Sequence, residues 1–313
     1  IMERVIRLCH IAILLALVVV LLGAWTRIND AGLGCPDWPG CYGEMILPVD
    51  KAKLDSAQQL YPDQPLVAAK GWLEMVHRYA AGVLGLLIAA LAYLGWKERY
   101  RNDYPLLLSF GLLVLVVLQA AFGMWTVTLK LWPQVVTAHL LGGFTTLSLL
   151  WLLTLRLNNQ RWQVPAISEA RLLALRKLAV LGLIIVVCQI ALGGWTTSNY
   201  ADIACPDFPR CQGAWLPPMD FANGFNIAQH VGPNYLGGVL DNDARVTIHV
   251  MHRFGAIVTT AYLLFLFVRL RGLGTVPASR LSVVMLLVLA AQVMLGISNI
   301  IFNFPIAVAV THN

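Results

Sequence analysis

Seven long apolar runs constrain this chain more than any other feature: Ile6–Trp25, Leu73–Trp96, Leu106–Trp125, Val135–Leu155, Leu178–Trp195, Val246–Val268 and Leu281–Ile301. A hydrocarbon core of about 30 Å takes roughly 20 residues at a rise of about 1.5 Å each, so every run is long enough to cross it. The chain therefore reads as an all-α, polytopic membrane protein. Only 12% of its residues are charged and 58% are hydrophobic, where a soluble domain carries about 25% charged residues. A soluble enzyme is excluded on that ground. The runs do not alternate with period two, glycine has no period, and the apolar content is too high for disorder, which removes β-barrel, collagen and disordered readings. Arg4 and Arg7 precede the first run, but no small-x-small cleavage site follows and the run ends on an interfacial Trp25, so it reads as a retained helix.

The formal charge is +6, yet it implies no nucleic-acid partner, because the cations collect at one end of the spans. Thirteen of the 22 Lys and Arg lie on the side of the N-terminus: Arg4, Arg7, Lys97, Arg99, Arg101, Arg156, Arg161, Arg171, Arg176, Lys177, Arg269, Arg271 and Arg280. Only Glu3, Glu98, Asp103 and Glu169 oppose them there. The positive-inside rule places that side in the cytoplasm. Two long connections, Thr26–Trp72 and Thr196–Arg245, then fall on the exoplasmic face, which is where a functional site is expected.

An internal repeat organises the chain. Trp25–Cys41 aligns without a gap on Trp195–Cys211, with nine identities in 17 positions. The register continues as Glu74–Arg78 on His249–Arg253, and as Gln119, Gly123 and His139 on Gln292, Gly296 and His312. Two pseudo-symmetric four-helix bundles of the same orientation are expected, residues 1–160 and 161–313. By the repeat an eighth span should follow His312, so the chain reads as about seven of eight spans, with the final helix of the second half missing.

Six cysteines divide by location. Cys9 and Cys188 fall within spans and read as small packing residues. Cys35 with Cys41, and Cys205 with Cys211, lie in the loops on the oxidising side, where disulfides are favoured. A zinc site competes, but the spacing is not that of common zinc knuckles, and no C-x-x-C-H segment attaches haem covalently. The bridges either staple the loops or take part in redox chemistry beside a site.

Ionisable groups inside spans are costly and so mark function. Four of the seven histidines recur by the repeat, His77 with His252 and His139 with His312, at the exoplasmic starts of the second and fourth helices of each half. Two imidazoles at equal depth on different helices of a bundle suit bis-histidine haem ligation. A bare metal ion fits less well, because no further ligand cluster completes a shell. His10 has no repeat partner and His230 lies in a loop; both read as structural or solvated. Arg78 and Arg253 follow the first histidine of each pair, either as cations for haem propionates or as interfacial anchors. Three residues before that histidine the halves differ: Glu74 stands in the first, His249 in the second. A carboxylate can accept a proton or stabilise developing positive charge, which points to a reactive first half and a redox-cofactor second half. The competing reading of Glu74 is an interfacial carboxylate paired with arginine.

The loops AGLGCPDWPGC and CPDFPRC, with EMVHR, TAHLLGG, IHVMHR and the terminal THN, resemble the haem A synthase family over essentially the whole chain. The resemblance implies oxidation of a ring methyl of haem O to a formyl group, giving haem A for haem–copper oxidases. It further implies eight spans in two halves, a b-type haem (haem b) ligated by His252 and His312, and substrate iron held by His77 and His139 with Glu74 in the chemistry. Implied partners are the haem O substrate, haem O synthase, an electron acceptor and membrane lipid, in a bacterial inner membrane; a homo-oligomer is left open. A non-catalytic two-haem b-type electron carrier is the alternative, although such carriers usually space their haems across the bilayer. A haem or metal transporter fits less well, since the repeat is parallel and the spans are unbroken.

Overall fold

The computed structural model describes residues 2–101, 104–159 and 169–313. Asp103 and Arg161 of the charge count, and the expected division at 160/161, lie outside them. Among the described residues the protein is helical throughout: α1 (Met2–Ile28), α2 (Lys51–Leu60), α3 (Ala68–Lys97), α4 (Leu106–Thr128), α5 (Pro133–Leu157), α6 (Glu169–Ser198), α7 (Phe221–Gly224), α8 (Asn242–Arg271), α9 (Val276–Ile301) and α10 (Ile306–His312). The helices α1, α3, α4, α5, α6, α8 and α9 are long and apolar enough to span a membrane and contain the seven expected runs. Each run is extended at one or both ends, because the helix continues past the hydrocarbon into the interface. The large apolar side chains they leave exposed, such as Leu14, Leu86 and Leu107, suit lipid rather than water.

Clustering of contacts divides the chain into two compact units. One comprises Ile1–Gln160 with Gln229–Gly237, a piece of the second long loop. That piece is tied in by the Trp132 indole donating to the Gln229 carbonyl at 3.0 Å and the Tyr235 amide donating to the Lys130 carbonyl at 3.0 Å. In this unit α1 and α4 each touch both α3 and α5, which closes a four-helix ring with α3 and α5 on its diagonal. Its aliphatic core gathers at one end, where Val5, Cys9, Ala12 and Ala16 of α1 meet Leu84, Ile88 and Leu91 of α3, Leu112 of α4, and Leu150, Leu153 and Leu157 of α5. The other unit, Arg161–Ala228 with Gly238–Asn313, runs α6 against α8, α8 against α9, and α9 against α10, so that α8 and α10 are again not neighbours.

The repeat is reproduced bond for bond at the helix ends. Asn29 and Asn199 each turn a side-chain amide back onto the carbonyl of Trp25 or Trp195, four residues earlier. The next residues, Asp30 and Tyr200, take left-handed conformations with φ of 49° and 54°. Ala31 and Ala201 then donate to the carbonyls of Thr26 and Thr196, both at 2.9 Å. This satisfies the last carbonyls of α1 and α6, the work usually given to a glycine cap. The other interfacial turn repeats as well: Lys130 and Leu131 after α4, and Asn303 and Phe304 after α9, are all left-handed.

Candidate functional site

Both cysteine pairs are closed, Cys35 with Cys41 and Cys205 with Cys211. Inside each small loop an aspartate arranges the turn. Asp37 accepts from the amides of Tyr42 and Gly43, and Asp207 from those of Gln212 and Gly213. These two amides, donated chiefly by Gly213, hold the Asp207 carboxyl below its ordinary range.

An arginine on the following span grips each loop from below. Arg78 donates to the carbonyls of Asp37, Pro39 and Gly40, and Arg253 to those of Cys205, Asp207 and Arg210. The loop is therefore what these guanidiniums hold directly. In the first half the grip includes Glu74, which is 4% exposed. One of its oxygens pairs with Arg78 one helical turn on, and the other accepts the Cys35 amide at 2.9 Å. The Arg78 pair and the Cys35 amide offset part of the cost of burying this carboxyl. The second half has no carboxylate here: His249, also 4% exposed, donates Nδ1–H to the Ala201 carbonyl at 2.8 Å.

The repeated histidines lie just beyond these grips. His77 on α3 and His139 on α5 stand on the diagonal helices and are within electrostatic reach of each other; His252 on α8 and His312 on α10 form the matching pair. The first pair sits in a layer without a buried aliphatic core. Between Ala16 and Ala24, Met75 and Leu84, Leu112 and Val127, and Val135 and Thr146, no side chain of the ring is fully buried. A bundle interior of native density would fill that layer with aliphatic groups. The second half is similar between His249 and Thr259 of α8 and between Ser282 and Asn299 of α9.

Each imidazole rests edge-on in a notch cut by a glycine of a neighbouring helix. A Cβ added at Gly23 would stand 3.0 Å from Cε1 of His77, and one at Gly123 would stand 3.5 Å from that of His139. In the second half Gly193 serves His252 at 3.2 Å and Gly296 serves His312 at 2.9 Å. The Nδ1 atoms of His77, His139 and His312 are buried without hydrogen-bond partners. Diagonal imidazoles in glycine cradles, in a layer without a buried aliphatic core, fit a flat macrocycle with two axial ligands. No group of three or more His, Cys, Asp or Glu among the described residues forms a shell for a bare ion. His10 and His230 are exposed.

Sequence reasoning missed Gly23, Gly193 and Gln189. The two glycines carry a detectable signal, since they match each other at the same offset as the loops. Gln189, a polar residue in the middle of a span, matches Val19 in the first half and so escapes a search for repeated residues.

Residues 6–313 match the profile of a family described as cytochrome oxidase assembly protein. A haem A synthase of Shewanella oneidensis is 46% identical over 98% of this chain and 90% of its own length. That of Symbiobacterium thermophilum is 30% identical over 73% of this chain and 70% of its own, and that of Mesorhizobium japonicum is 27% identical over 97% and 84%.

Proposed function

This chain belongs to the haem A synthase family of cytochrome oxidase assembly proteins, and from that premise we propose that it makes haem A from haem O with a division of labour between its halves. It is a multi-pass membrane oxidoreductase, and family membership sets the non-catalytic carrier aside. The first half receives haem O, with His77 and His139 as axial ligands to the substrate iron. The second half keeps a resident b-type haem on His252 and His312, which when bound supplies a one-electron redox centre.

The observation that carries this reading is the difference in ionisable group between the two repeated sites, Glu74 against His249. Oxidising a methyl to a formyl group, written with water as the oxygen donor, balances as R–CH3 + H2O → R–CHO + 4 H+ + 4 e−, so one carbon gains an oxygen, its electrons pass to an acceptor and protons must be taken up nearby. Glu74 lies on the same face of α3 as His77, one turn away, and is the carboxylate placed to take a proton there. Arg78 and the Cys35 amide fix its two oxygens in place. The Cys35–Cys41 loop lies over it and screens it from water. Arg78 and Arg253, while holding their loops, also leave a positive charge at the rim of each site for propionates.

Membranes from cells given this chain together with a source of haem O should contain haem A on acid–acetone extraction and chromatography. Extracts holding only haem O and protohaem would overturn the activity. The charge asymmetry of the connections orients both cysteine loops to the exoplasm. A single cysteine introduced at exposed Met45 should react with an impermeant maleimide added outside intact spheroplasts; protection there with labelling in inverted vesicles would reverse the orientation.

A further inference from the structure

Three of the four candidate ligands have a glutamine side chain beside them. Gln292 donates its amide to the His312 carbonyl at 2.6 Å. Gln119 packs against Gly142, one turn beyond His139, where an added Cβ would fall 1.7 Å from its Nε2. Gln189 reaches from α6 to His252, with Nε2 3.1 Å from the His252 carbonyl and 3.2 Å from ring Nδ1. It lies over Gly255, where a Cβ would be 2.2 Å from Oε1, so glycine is required there to admit the amide. At the matching positions the first half has Val19 and Ala80. His77 Nδ1 is buried without a side-chain partner, and the polar group beside it is the Val19 main chain.

We propose that Gln189 is the positioning residue of His252, and that its absence beside His77 makes the first-half site exchangeable where the second-half site is permanent. An imidazole that binds iron through Nε2 carries its proton on Nδ1 and needs one acceptor for it; such partners fix the ring and raise its basicity. Gln189 holds that acceptor in reserve: its Oε1 is buried and has no partner. A half-turn of the amide plane exchanges the group facing Nδ1 from donor to acceptor and gives up the Nε2 bond to the His252 carbonyl in return. The Val19 side chain can do neither, and Ala80 stands where the second half has the glycine that admits the amide. His77 is therefore held without a side-chain partner, which suits a ligand that must take up substrate and release product at every turnover.

The inference rests on the resident haem belonging to the second half, and the test separates the two. Full-length protein is purified with its haem, and the low-spin centre is titrated potentiometrically as wild type, Gln189→Val and Gln189→Glu. Removing the acceptor should weaken ferric relative to ferrous binding about tenfold, a rise of ~59 mV for a one-electron couple, and the carboxylate should lower the potential. Should Gln189→Val retain too little haem to titrate, the isosteric Gln189→Glu alone decides. An unchanged potential in Gln189→Glu, with haem retained, would reduce Gln189 to a packing residue and overturn the inference. Loss of the low-spin spectrum in His77→Ala but not His252→Ala would instead overturn the assignment of the halves. The reciprocal double variant Val19→Gln/Ala80→Gly should retain haem O on purification about tenfold better than wild type; equal retention would count against the exchangeable site.

Discussion

Glu74→Gln is expected to cut haem A formation by about 100-fold or more, the lower end of what a positioned acid or base contributes, while the low-spin haem stays in place. The substitution keeps size and a carbonyl oxygen for the Cys35 amide, but an amide cannot take the proton that leaves the substrate carbon. A partly oxidised haem should accumulate, and pigment analysis of cells expressing the variant would reveal it. Glu74 also fastens the disulfide loop, so loss of activity alone would not distinguish base from latch. Arg78→Gln separates them, because it cuts the same ion pair from the other side and leaves the carboxylate. If the two variants lose equal activity with equal loosening of the loop, the latch is the whole effect. Wild-type haem A in Glu74→Gln would show Glu74 to be an interfacial carboxylate only.

His252→Ala should remove the low-spin b-type spectrum almost completely, and His77→Ala should leave most of it. Both imidazoles are axial ligands on the proposed reading, so the contrast measures which half keeps a haem through purification. Gly193→Val offers the same loss with the ligand intact: its side chain would intrude on a ring already 3.2 Å from a Cβ at that position. Reduced-minus-oxidised spectra at matched protein concentration decide both. Equal spectra in His252→Ala and wild type would remove the resident haem from this half.

How much of this was legible before any coordinates follows from the length scale of each signal. A span announces itself over about 20 residues, because lipid leaves the chain no other way to satisfy its backbone, and all seven runs became helices. The short helices α2 and α7 carry no such signal: Lys51–Leu60 is mostly polar and Phe221–Gly224 is a single turn capped by Asp220. The histidines stood out because the repeat showed each twice. The repeat also hides whatever the halves do not share. Glu74 was found because its counterpart is ionisable too, whereas Gln189 faces a valine and was passed over. That Arg78 and Arg253 would bind loop carbonyls could not be read from spacing, since the carbonyls lie as far as 41 and 48 residues away in sequence.

The layer of the first bundle that lacks a buried aliphatic core bears on firmness. A ring of helices without a central core forgoes the dispersion contacts that filled interiors gain, and a ligand that supplies them stabilises the folded state by mass action. On the proposed assignment of haem O to this half, substrate would serve as temporary core, and the first half would be loosest between release of product and arrival of the next molecule. The aliphatic cluster at the far end, from Val5 to Leu157, would keep the four helices together in that interval.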